Sequence, residues 1–183
     1  MNNVAGPLMP THAILFANAE ISDIQEFLSA VHATADRIDA HIICINADRV
    51  AGRLHLDAAL AHACRTWFTD KNPVARSFEM ELLLWVAASR QTSVAAKFGA
   101  QKGKMPLWVV IVPAVENAAD EIARIPGITL PPAPPAGTEP ICAEKRSRLM
   151  QDFSITETEL ATIGTQRLPE LIAERVALSA VYR

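Results

Sequence analysis

The residues of this chain with the clearest chemical content lie between Arg49 and Lys104. Nine cations (Arg49, Arg53, Arg65, Lys71, Arg76, Arg90, Lys97, Lys102 and Lys104) stand there against four acids (Asp57, Asp70, Glu79 and Glu81), so the segment is +5 in a protein of net charge −3. The rest of the chain is therefore −8. Such a division suits an anionic partner, but a mixed solvated surface produces it too, and local charge alone specifies no ligand. Three readings compete for the string: a catalytic site, a nucleic-acid groove, or the polar rim of a helical core.

Catalytic chemistry finds few parts. His55 and His62 stand seven positions apart, which along a helix separates their backbones by roughly 10 Å, too far for one zinc ion with bonds near 2 Å. No other His or Cys lies at chelating spacing, so no metal or cofactor is expected. Glu79 and Glu81 are two apart on an expected helix and face nearly opposite ways. Glu81 sits among apolar residues, and a buried carboxylate needs a partner; Arg76 and Arg90, near the two ends of that helix, are the candidates for an ion pair or a substrate clamp. "GAQKGK", Gly99–Lys104, is one residue short of a phosphate loop, with Met105 where Ser or Thr would hold magnesium. No Gly-x-Ser-x-Gly turn presents a nucleophile.

The elements that would position these groups follow from periodicity and punctuation. "HAILFANA" and, from Ala40, "AHIICINA" read as strands. Between them "SDIQEFLSAVHATADRI" opens with Ser22 and Gln25 at capping-box spacing and repeats Ile24, Phe27, Leu28 and Val31 at helical intervals. The helix from about Val50 places Leu56, Leu60, Ala63, Cys64 and Trp67 on one face, with His55, His62, Arg65 and Thr66 expected on a polar outer side. "DKNPV" is a break. "SFEMELLLWVAA", capped by Ser77, is apolar nearly all round, as a central helix would be. "QTSVAAKFG" is a short helix stopped at Gly99, "LWVVIV" a buried strand, and "ENAADEIARIPG" a helix ended by Pro126 and Gly127. The proline-rich stretch "ITLPPAPPAGTEP", 128–140, reads as an extended surface loop, a recognition peptide being the alternative. Helices follow over "ICAEKRSRLMQDF", over "TETELATIG" with Thr156 and Glu159 at capping-box spacing, and over "LPELIAERVALSAVYR", whose last residues could pair as a strand.

With 183 residues, half of them apolar and a fifth charged, the chain suits one globular domain. The run "LWVVIVPAV" is far short of the roughly 20 residues that cross a bilayer, and "MNNVAGPLMP" lacks the pattern of a signal peptide. A cytoplasmic protein with no membrane partner is expected. Cys44, Cys64 and Cys142, an odd number with no C-x-x-C pair, read as buried thiols.

Several motifs together resemble a known family. The strand ending in "NAD", the following "VAG", His55-Leu56 opening a helix, Asn72, Ser77 and Glu81 leading into "LLLW", Arg90-Gln91, Phe98-Gly99 and the closing "ERVALSAVYR" are similar to the small kinase-binding, non-catalytic subunit of the archaeal and eukaryotic KEOPS complex, here of archaeal type. Thr92 departs from the apolar residue usual after Arg-Gln, and the proline-rich loop is an elaboration. The resemblance implies an α+β single domain: a small, mainly antiparallel mixed sheet of three to four strands packed with about seven helices. It implies no catalytic residue, a dock on the KEOPS atypical protein kinase with other KEOPS subunits joined through it, and a grip on the 3' CCA end of transfer RNA. The complex installs threonylcarbamoyladenosine next to the anticodon.

On that reading Arg53, Lys71, Arg76, Arg90 and Lys97 are the phosphate donors, and Asn72 and Gln91 hydrogen-bond base edges. Ile155, Leu160, Ile163, Leu168 and Leu171 are the expected kinase contacts, the alternative being that they complete the core. The competing readings are a small-molecule enzyme built on Glu81, Arg90 and His55, and a homo-oligomer associating through its C-terminal helices.

Overall fold

A computed structural model describes residues 9–182; most of the stretch "MNNVAGPLMP", expected not to be a signal peptide, lies outside them. Four strands form one sheet: β1 (Ala13–Ile21), β2 (His41–Asn46), β3 (Gly103–Val112) and the two-residue β4 (Ile128–Thr129), in the order β2-β3-β1-β4. Every neighbouring pair is antiparallel, so the sheet is not mixed. β3 is central and pairs on both sides, from Ala13↔Ile111 to Ile21↔Gly103 with β1 and from His41↔Val112 to Asn46↔Leu107 with β2. Its residues from Leu107 to Val112 are all buried, which is why this strand lacks alternation in sequence: helices cover both of its faces.

One face packs Ile42, Cys44, Val109 and Ile111 against Phe27 and Val31 of α1 (Ile24–Ile38) and Ile122 of α5 (Ala118–Ala123). The other packs Ile43, Ile45, Trp108, Val110 and Val112 against a layer made of α2 (Arg53–Cys64), α3 (Phe78–Val86), α4 (Thr92–Ala95), α6 (Ala143–Asp152), α7 (Glu157–Ile163) and α8 (Leu168–Ser179). The described residues thus hold eight α-helices and a four-stranded antiparallel sheet, an α+β fold.

Local chemistry explains most boundaries. α1 is capped by Asp23 rather than Ser22, its carboxylate accepting from the Gln25 and Glu26 amides at 2.8 and 3.0 Å, a stronger use of the helix end than a hydroxyl would give. Ser77 caps α3 through the Met80 amide, and Thr156 caps α7 through that of Glu159. The chain end departs from expectation: Ala180–Tyr182 form a 3-10 turn, not a strand. β4 also lies inside the stretch read as loop, and the Glu20 amide donating to the Gly127 carbonyl at 2.8 Å extends its hold on β1.

Two expectations about burial are corrected. The solvated side of α2 is not the one expected: it carries Arg53, Leu54 and Asp57, while α3 and α8 pack on the helix. His55 is therefore wholly buried, His62 stacks on Trp85 with centroids 4.6 Å apart, and Thr66 bonds Glu81, while Arg65 alone of the four expected residues is exposed. Cys142 is exposed beside the start of α6. Cys44 and Cys64 are buried, and burial pushes their thiols up to about 12 and about 11, so they are inert. Among the described residues no helix is long and apolar enough to cross a membrane.

Candidate functional site

α2 and α3 run side by side in opposite directions, and two contacts set their register. At one end His55 Nε2 donates to the Val86 carbonyl at 2.9 Å; at the other Thr66 Oγ1 donates to Glu81 at 3.1 Å. α2 has 12 residues, about 18 Å of helix, and a π-turn, Arg65–Thr69, lengthens it further.

That geometry divides the seven residues expected to meet RNA. Arg53 begins α2, and Arg90 and Gln91 follow α3, at the His55 end; Lys97 is one and a half turns beyond Gln91 on the short helices leading to Phe98. Lys71, Asn72 and Arg76 occupy the connection between the π-turn and α3, at the Glu81 end. One groove therefore does not unite them. Arg90, Gln91, Lys97, Lys71, Asn72 and Arg76 are exposed, and Arg53 is half-buried with Nη2 on Asp57 at 3.0 Å.

The His55 end gains cations that spacing gave no means to find. A cleft of about 550 Å³ opens between Lys97 and α6, lined also by Arg49, Phe98, Arg148 and Asp152. Arg49 is held by Asp152, both oxygens at 2.5 Å, with its guanidinium carbon 5.8 Å from the centre of the Phe98 ring. Arg148 pairs with Asp48 at 3.5 Å. Arg148 comes from a helix a hundred residues away from the 3-10 turn Ala47–Arg49 on which it packs, a proximity only the tertiary fold creates.

Two of the side chains proposed for an enzyme, Glu81 and His55, lie in the core. Glu81 is fully buried; Oε1 accepts from Thr66 Oγ1 at 3.1 Å and Trp85 Nε1 at 3.0 Å, and Oε2 from the Val74 and Ala75 amides, both at 2.9 Å. Neutral donors thus meet both of its oxygens, and the carboxylate ties the 70–77 connection to α3 and to the π-turn that follows α2. His55 is fully buried too, with Nδ1 accepting from the Ala51 amide at 3.1 Å. Burial lowers its pKa to about 4, the bond to Val86 opposing, so it is neutral at physiological pH. Neither group lines the cleft beside Lys97 or the grooves at Leu178 and at His41.

The residues expected to contact a kinase lie in or against the core. Ile155, Leu160, Leu168 and Leu171 are buried in the core and Ile163 packs against it, because α8 packs onto α2 and α3 and Leu160 of α7 joins the same cluster. Exposed apolar residues lie elsewhere: Leu54 at 50%, Leu178 at 58% and Val181 at 75%. Leu178 and Val181 line a groove of about 610 Å³ with Ala87, Ala88 and Phe153, and Ala87 and Ala88 directly follow α3. This groove therefore sits at the His55 end, beside Arg90 and Gln91.

At the opposite end a cleft of about 740 Å³ is acidic, with Asp36, Asp39 and Glu79 near His41. His41 Nδ1 lies 2.7 Å from Glu79. Burial raises the Glu79 carboxyl, but the bond to His41 and its other hydrogen bonds outweigh this and hold it below the usual range. That sign of charge repels phosphate. Among the described residues no group of three or more His, Cys, Asp or Glu could hold a metal ion. Compared with protein-family models and with curated proteins, the chain matches none.

Proposed function

We propose that this protein is a non-enzymatic adaptor of the KEOPS type, which binds an atypical protein kinase and helps to recruit transfer RNA by its 3' CCA end for threonylcarbamoyladenosine modification. One observation carries the reading. At the His55 end of the helical layer three things coincide: residues of the resemblance (Val50 to Gly52, His55, Arg90-Gln91 and Phe98-Gly99), the exposed cations Arg90 and Lys97, and the exposed apolar residues Leu54, Leu178 and Val181. Cations and an amide give counter-charge and hydrogen bonds to a single-stranded end; the adjoining apolar groove gives a protein partner a surface to cover. The kinase contacts thus move from the buried 155–171 residues to Leu54, Leu178 and Val181. An activity on transfer RNA belongs in the cytoplasm.

Binding of the purified protein to labelled transfer RNA with and without its 3' CCA, at two salt concentrations, tests the reading. Binding should require the CCA end, weaken with salt and weaken in Arg90→Ala. If none of the three matters, the basic string is a solvated rim and the recruitment role is wrong. A self-associating protein would instead run as an oligomer on sizing in the absence of kinase, which is the result the homo-oligomer reading requires.

A further inference from the structure

The start of α2 is closed in an unusual way. Gly52 stands at its N-cap and offers no side-chain acceptor; the first amide of the helix, that of Arg53, donates instead to the Gly137 carbonyl at 2.9 Å, from the proline-rich loop. A helix N-terminus, with unpaired amides and the positive end of the helix dipole, is where an acceptor or anion is favoured. Here a distant segment of the same chain fills the place.

The contact is close enough to demand glycine on both sides. Gly52 has φ +88° and Gly137 φ +82°, and a Cβ on Gly52 would lie 2.2 Å from the Gly137 oxygen, one on Gly137 2.4 Å from Arg53 Cγ. Beneath the loop, Arg53 Nε is buried and has no hydrogen-bond partner, although buried donors in folded proteins are seldom left so. The loop therefore covers an arginine donor without satisfying it.

A second feature points the same way. Glu139 accepts from the Ala136 and Gly137 amides at 2.6 and 2.8 Å, which turns the loop tip toward Arg53. Its charge also acts on Lys145 of α6, a half-buried ammonium whose pKa burial lowers against the opposing fields of Asp48, Cys142 and Glu139. The loop thus brings a carbonyl to the Arg53 amide and a negative charge whose field acts on Lys145, the acceptor and the charge that a phosphodiester would bring. Its feet are fixed, with Leu130 and Ile141 packed against the two cores. Its span is mostly exposed and rich in proline, and extended proline-rich chain has little conformational freedom to lose on docking.

We infer that residues 131–139 form an autoinhibitory strap, lying across Arg53 and the first turn of α2 where an RNA phosphate would sit, and that the strap must lift for RNA to engage that end of the site. The inference rests on the RNA-binding reading above.

Two opened variants test it: Gly137→Val, whose side chain meets Arg53, and a chain in which 131–139 is replaced by a Gly-Ser segment of equal length. Transfer-RNA affinity is measured for both and for the unaltered protein, with hydrogen exchange at the Arg53 amide as the report of opening. Faster exchange at Arg53 with about three- to tenfold tighter RNA binding is expected, the gain from removing a closed state that competes with the ligand. Where Gly137→Val disturbs the fold or leaves Arg53 protected, the Gly-Ser variant decides. Unchanged or weaker binding in an opened variant overturns the strap while leaving the adaptor reading in place. Absence of RNA binding by all three proteins overturns that reading, and the strap with it.

Discussion

His55 Nε2 donates to the carbonyl of Val86 across 2.9 Å while its Nδ1 accepts from the Ala51 amide, so a neutral imidazole joins the start of α2 to the end of α3. A second proton on Nδ1 would set N–H against N–H. The unfolded chain takes up that proton near 6.5 and the folded protein only at about 4, so the neutral form's contribution is complete above 6.5 and is lost as pH falls toward 4. Between pH 7.5 and 5.5, where carboxylates remain ionised, His55 should remove roughly 1.3 kcal/mol of stability. Urea midpoints across that interval should fall less steeply in His55→Asn, which keeps an acceptor for Ala51. Parallel slopes in the two proteins would show that His55 does not carry the dependence.

Glu81 gathers the Val74 and Ala75 amides, Thr66 and Trp85 onto one buried carboxylate. Glu81→Ala strands four donors and should cost about 3–5 kcal/mol in chemical unfolding. Glu81→Gln keeps the volume but turns an NH2 group toward other donors, so about 2–3 kcal/mol is expected. An effect below about 1 kcal/mol for the alanine variant would mean that water replaces the carboxylate.

The legible parts of the molecule are those written in short-range chemistry. Ser77 and Thr156 cap where their positions said, and the unbroken apolar run of β3 is a strand covered on both faces. The centre of α3 was also readable, since an almost wholly apolar helix has nowhere to go but inside. Periodicity misled at His55 and Thr66, because it marks the face opposite the apolar stripe as solvent, whereas a second helix covers it here. It misled at Leu160 and Leu168 for the converse reason: an apolar stripe reads alike whether it meets the core or a partner. The separation of Arg76 from Arg90, and the arrival of Arg148 beside Arg49 and Lys97, depend on helix direction and tertiary packing, which no local spacing encodes.

That separation makes a prediction of its own. If the His55 end engages RNA, Lys97→Ala and Arg148→Ala should each flatten the dependence of log affinity on log salt by about one counterion. Lys71→Ala and Arg76→Ala, about 18 Å or more away along α2, should leave the slope unchanged. Titrations at four salt concentrations resolve this, and equal effects from both ends would require RNA to cross the whole helical layer.

The proposed docking face makes the last prediction. Leu178 and Val181 are exposed on a groove whose floor is Ala87, Ala88 and Phe153, so Leu178→Asp and Val181→Asp should change folding stability by less than about 0.5 kcal/mol. Against a kinase partner, an apolar contact replaced by a desolvated charge should weaken binding by at least about 2 kcal/mol, roughly thirtyfold. Leu160→Asp should behave in the opposite way, unfolding the protein by burying a charge in the core. Calorimetric titration of the kinase with each folded variant separates the two surfaces. Undiminished binding by both Leu178→Asp and Val181→Asp would remove this groove as the docking face, because no kinase seated on it could leave those two side chains in water.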